Sequence, residues 1–213
     1  MPIITDMKIQ KNNKSRANLY LDGEFAFGVE MLTVMKLGLK IGQDVSAEKL
    51  RETVLDSEKS VAFEKAIDYL SRGMKTEKQM RDYLVKKGYV DEIVHHVVSK
   101  LKDYRYLDDK QYAALYVEQN SKTKGERRLT QELQQRGISK TFAEEASQTD
   151  SETEWQNALT LAKKYMRGRT LDLKNLQRLQ RYLLSRGYGF DTVNGVVRTF
   201  KTEDDNGGDD YCD

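Results

Sequence analysis

The chain has 213 residues, 33% of them charged and 38% hydrophobic, and its 36 Lys and Arg nearly balance 34 Asp and Glu for a formal charge of +2. No run of about 18 apolar residues could span a bilayer, and the single cysteine, Cys212, excludes an internal disulfide and suits a reducing compartment. The balance is uneven along the chain: residues 1–201 hold 36 bases against 28 acids, a net +8, whereas 202–213 hold six carboxylates and no base.

The opening residues, MPIITDMKIQ, lack an apolar leader core, so the expectation is a soluble cytoplasmic protein. Residues 1–45 alternate apolar with polar side chains, and Asp22-Gly23 is a strong two-residue hairpin signal. They predict a small antiparallel β-meander that caps the rest, with a short helix at MLTVMKL, residues 31–37. A linking helix follows from about Ser46, within segment 46–59.

From residue 60 a unit of about 50 residues recurs. Its signature is YLVKKGY, then ELQQRGI, then YLLSRGY, with glycines at 88, 137 and 187 and leucines at 84, 133 and 183. Each leucine has an apolar partner four residues earlier, a base stands in the last turn, and glycine past the end permits the left-handed closing residue, so each signature reads as a helix C-terminus. A periodic segment precedes each signature helix, at 60–71, 108–121 and 151–166, and another follows it. Thr76 with Gln79 and Ser151 with Glu154 fit capping boxes, and Asp91, Asp109, Asp172 and Asp191 suit N-caps. The fold expected is therefore mainly α: three tandem three-helix repeats (60–107, 108–150, 151–201) in an elongated array, ending in an acidic, disordered tail at 202–213.

Catalytic chemistry finds little purchase. His95 and His96 lie about 100° apart on a helix, poor geometry for one metal, and Cys212 has no neighbouring base to activate it. Asp108 and Asp109 read as a helix start, and no phosphate-binding loop, dinucleotide fingerprint or nucleophile elbow is present. The expectation is a non-enzyme without metal or cofactor.

The third repeat is the most basic. Between Lys163 and Arg186 stand eight bases, namely Lys163, Lys164, Arg167, Arg169, Lys174, Arg178, Arg181 and Arg186, against one acid, Asp172. At helical spacing Lys174, Arg178 and Arg181 fall within an arc of roughly 60°, opposite Leu176, Leu179 and Leu183. Lys124, Arg127 and Arg128 echo them in the second repeat; the matching first-repeat helix mixes Glu77 and Asp82 with its bases. A recurrent basic face is the footprint expected for a phosphate backbone or an acidic protein groove. Tyr104, Tyr106, Tyr112, Tyr116 and Tyr165 offer stacking platforms for bases, but at helical spacing beside Leu107, Leu115 and Leu161 most of them are expected to pack between repeats.

YLDDKQYAALYV (106–117) and KGERRLTQELQQRGI (124–138), supported by AIDYLSRGMKTEKQMRDYLVKKGY, resemble the RecX family of bacterial recombinase regulators over roughly residues 60–200. The resemblance implies a curved, extended molecule. It also implies a partner, the RecA filament on single-stranded DNA, whose growth, ATP hydrolysis and strand exchange such proteins inhibit or modulate. A monomer is expected, contacting single-stranded DNA non-specifically through the basic face. Two rivals are a DNA-binding regulator with helix-turn-helix-like modules acting without a recombinase, and an α-solenoid adaptor indifferent to nucleic acid. The spread of bases over two repeats, without a base-reading Asn or Gln cluster, favours backbone contact.

Overall fold

The computed structural model describes residues 1–206, with side chains through Lys201. The described residues form three strands and ten helices, which separate into two compact units, residues 1–108 and the chain from Asp109 onward.

In the first unit β1 (Ile4–Ile9), β2 (Arg16–Leu21) and β3 (Glu24–Glu30) make an antiparallel sheet in chain order. Asp22 and Gly23 turn the hairpin with φ of 49° and 88°, the mirror-image turn that matches strand twist. α1 (Met31–Leu37) follows directly. Ile4, Leu19 and Val29 of the sheet share a core with Val34, Leu50 and Val54. Leu50 and Val54 belong to α2 (Ala47–Ser71), a 25-residue helix in which the expected linking helix and the first helix of the first repeat are continuous. No glycine or proline lies within it to separate them.

α3 (Glu77–Lys86) and α4 (Asp91–Asp103) complete the first repeat around Met80, Leu84, Ile93, Val97 and Leu101. The second unit contains α5 (Asp109–Asn120), α6 (Glu126–Gln135), α7 (Lys140–Ser147), α8 (Ser151–Met166), α9 (Leu173–Ser185) and α10 (Phe190–Asn206). α5–α7 enclose a small core of Ala113, Leu133, Ile138 and Ala143. α8–α10 enclose a larger one around Leu179, Leu183, Tyr188, Val193 and Val196.

The signature has one geometry in all three repeats. Tyr89, Ile138 and Tyr188 each donate a backbone N–H to the carbonyl of Leu84, Leu133 or Leu183, at 3.3, 3.1 and 3.3 Å. The intervening glycines hold φ of 88°, 95° and 92°. This is the motif that satisfies the last helical carbonyls and requires a left-handed residue, which glycine adopts without steric cost.

Some helix starts differ from expectation. The Thr76–Gln79 capping box forms, and Asp172 caps α9 by accepting from Asn175 N–H at 2.7 Å. The cap of α8, however, is Asp150, accepting from Thr153 N–H at 2.8 Å, so Ser151 is already helical. A carboxylate one residue earlier is the better acceptor for the first-turn N–H groups. Asp91 likewise lies inside the first turn of α4, after Val90, which offers no side-chain cap. α10 continues to Asn206, into the segment expected to be a disordered tail, since no glycine or proline occurs between Gly195 and Gly207; the remainder of that tail, with Cys212, lies outside the described residues.

Candidate nucleic-acid and partner interface

The third-repeat bases come from three consecutive elements. Lys163 and Lys164 stand in the last turn of α8, Arg167 and Arg169 in the following loop, and Lys174, Arg178 and Arg181 along α9. All seven are exposed, and none forms an ion pair with an acid among the described residues. The buried face of α9 carries Leu176, Leu179 and Leu183, so the helical period itself turns the Lys174–Arg178–Arg181 row outward. Its polar ties are weak: Arg178 Nη1 donates to Asn175 Oδ1 and Arg181 Nε to the Gln177 carbonyl, both at 3.4 Å. Asp172, the one acid in this stretch, has its carboxylate pinned at the start of α9 by Asn175 N–H and by the Thr170 hydroxyl, each at 2.7 Å. These bonds, the backbone one first, hold its pKa below the usual carboxylate range.

Arg169 differs from its neighbours. Its guanidinium lies 3.9 Å from the Tyr165 ring centroid, Tyr165 stacks on Tyr182 at 4.5 Å, and Arg186 closes the other end 5.1 Å from Tyr182. Tyr112 and Tyr116 are likewise stacked, with Arg136 4.5 Å from the Tyr116 ring. Tyr112, Tyr116 and Tyr165 therefore use their ring faces on one another or on cations; Tyr104 and Tyr106 remain exposed.

The second-repeat bases meet the end of α9. Gly125, the N-cap of α6, donates its N–H to the Arg186 carbonyl at 3.0 Å. A Cβ at Gly125 would come within 2.5 Å of the Gly187 backbone, and one at Gly187 within 2.4 Å of Arg128, so only glycine on both sides permits the contact. The junction leaves a recess of about 320 Å³ lined by Lys124, Arg128, Glu132, Tyr182, Ser185 and Arg186. Arg127 is exposed on a neighbouring recess with Gln131, Leu184 and Phe190.

Glu132 changes the charge of this cluster. Buried on α6, it accepts from Lys124 Nζ at 2.6 Å, from Arg128 Nε at 2.7 Å and from the Tyr116 hydroxyl. Burial opposes its ionisation, but the hydrogen bonds from Lys124, Tyr116 and Arg128 prevail and hold its pKa at about 2. Lys124 and Arg128 are thus partly neutralised, whereas Arg127 is not. The Arg128–Glu132 spacing of four residues was visible in the sequence; the eight-residue reach of Lys124 back across the turn was not.

A second charged cluster, in the first unit, had no local signal at all. Buried Arg16 donates through Nη1 to Glu58 at 2.9 Å and Glu30 at 3.4 Å, and through Nη2 to the Gly28 carbonyl at 3.0 Å. Glu58 also accepts from Glu30 N–H at 2.7 Å and from Thr33 Oγ1 at 3.0 Å, while Lys65 Nζ lies 2.8 Å from Glu30. These links tie the sheet and α1 to α2. Among the described residues no group of three or more His, Cys, Asp or Glu converges as metal ligands would, and His95 and His96 are exposed.

Family models for the regulatory protein RecX N-terminal domain match residues 2–46, and those for the first, second and third RecX three-helix domains match 62–101, 108–146 and 152–197. A regulatory protein RecX of Clostridium botulinum strain Alaska E43 is 38% identical over 205 residues, covering 93% of this chain and 96% of its own. One from Bacillus licheniformis is 33% identical over 214 residues, covering 97% and 81%. A crystal structure of regulatory protein RecX, 27% identical, superposes with a TM-score of 0.63 over 92% of this chain and 98% of that one.

Proposed function

Because the chain belongs to the RecX family of regulatory proteins, we propose that it binds the RecA filament assembled on single-stranded DNA and restrains its ATP hydrolysis and strand exchange. It does so in the cytoplasm, as a monomer, by contact rather than catalysis. The observation that carries this reading is the row Lys174, Arg178 and Arg181, exposed and unpaired on a helix whose other face is locked in the core. With Lys163, Lys164, Arg167 and Arg169 before it and Arg127 in the preceding repeat, it offers single-sign charge at several points. Such a surface suits phosphates or filament carboxylates without reading bases. Lys124 and Arg128 contribute less, because Glu132 already holds them.

The test is to add the protein to RecA filaments already formed on single-stranded DNA and to follow ATP hydrolysis. The expected result is a decline in hydrolysis as the protein is added. A protein that merely competes for free DNA would act only when added before RecA, and unchanged hydrolysis of preformed filaments would contradict the proposal.

A further inference from the structure

Among the described residues three ring pairs are stacked face to face: Tyr69–Tyr83, Tyr112–Tyr116 and Tyr165–Tyr182. At the end of α4 the arrangement is different. Phe63 meets Tyr104 edge-on, with centroids 6.1 Å apart at 77°, and Tyr104 meets Tyr106 in the same way, at 5.9 Å and 66°. An edge-on contact occupies one ring face where a stacked pair occupies two. Tyr104 and Tyr106 are 54% and 57% exposed, although Phe63 beneath them packs against the core of the first repeat.

Two cations belong to this segment. Lys100 Nζ lies 4.8 Å from the Phe63 centroid and 5.9 Å from that of Tyr104. Arg105, between the two tyrosines and exposed, holds φ of 57°. It occupies the left-handed position that ends α4, with Tyr106 N–H bonded back to the Leu101 carbonyl at 2.8 Å. The signature helices α3, α6 and α9 place glycine at this position. An arginine there is held against its backbone preference, and strain of this kind clusters at functional positions.

We propose that Tyr104, Arg105 and Tyr106, with Lys100, form a stacking platform for the unpaired bases of single-stranded DNA, separate from the basic face of the third repeat. Open aromatic faces interleaved with cations are what sequence-tolerant single-strand binding requires. Asp103 and Asp108, both exposed, flank the segment. Their charge offsets that of Arg105 and Lys100, so attraction rests on ring stacking more than on phosphate. The proposal takes its partner class from the function above, but it concerns contact with DNA itself and is tested without RecA.

The test compares fluorescence anisotropy of labelled oligo(dT) with that of an abasic strand of the same length. Wild type should favour the base-bearing strand. Tyr104→Ala/Tyr106→Ala should weaken oligo(dT) binding by roughly tenfold while leaving the abasic strand unchanged, and Tyr104→Phe/Tyr106→Phe should restore it. Arg105→Gly should weaken oligo(dT) binding while raising the melting temperature, an outcome that loss of folding cannot mimic. Equal binding of the two strands by wild type, or undiminished oligo(dT) binding by the alanine variant, would overturn the proposal. An alanine variant that keeps oligo(dT) binding but loses its effect on filaments would do so as well, by making the platform a protein contact.

Discussion

Glu132 shows how one residue can set the character of a surface. Its side chain is 11% exposed and takes hydrogen bonds from Lys124, Arg128 and Tyr116, which lower its pKa from 4.5 to about 2. A carboxyl whose pKa is depressed by folding stabilises the protein fully above its unfolded pKa, and that contribution is lost as pH falls from about 4.5 through 2. At about 1.4 kcal/mol per unit the contribution is on the order of 3–4 kcal/mol. Glu132→Gln should therefore flatten the acid limb of stability against pH by about that much, measured by urea unfolding from pH 6 downward. An unchanged acid limb would mean that the carboxylate is not held as described. The sequence displayed Lys124, Arg127 and Arg128 as one basic cluster, but not which of them an acid neutralises. That depended on burial of Glu132 and on Tyr116 reaching it from another helix.

At the level of elements, what was legible had a local cause. The Leu-x-x-base-Gly-apolar signature records one helix ending, so three copies announced three equivalent helices before any contact was known. The hairpin at Asp22-Gly23 and the cap at Asp172 were legible for the same reason. The merging of the linking helix into α2 was not legible because nothing local distinguishes a continuous helix from two abutting ones. The Arg16–Glu30–Glu58–Lys65 cluster was hidden because its members are separated by up to 49 residues. Side chains of Arg16, Glu30 and Glu58 are at most 4% exposed, so removing this cation leaves Glu58 buried without a cation and Glu30 with Lys65 alone. Arg16→Met should cost about 3–5 kcal/mol in equilibrium unfolding. Arg16→Lys should recover only part of this, because one ammonium cannot reproduce the forked donation to Glu58 and Gly28. A loss below about 1 kcal/mol for Arg16→Met would show the cluster to be solvated, as exposed pairs are.

In the third repeat, charge and fold are carried by different residues of one helix. The leucines of α9 hold the third repeat together, while Lys174, Arg178 and Arg181 project from the same helix without touching its core. Reversing all three to Glu therefore leaves helicity and melting temperature near wild type, but replaces attraction for phosphates or filament carboxylates with repulsion. The salt slope of DNA binding should also fall by roughly one for every phosphate that the variant no longer neutralises. The decisive measurement is RecA-driven ATP hydrolysis on single-stranded DNA with wild-type or triple-reversal protein, with circular dichroism confirming that both are folded. The account predicts that wild type suppresses hydrolysis and the folded triple variant does not; a folded triple variant that suppresses as well as wild type would contradict it.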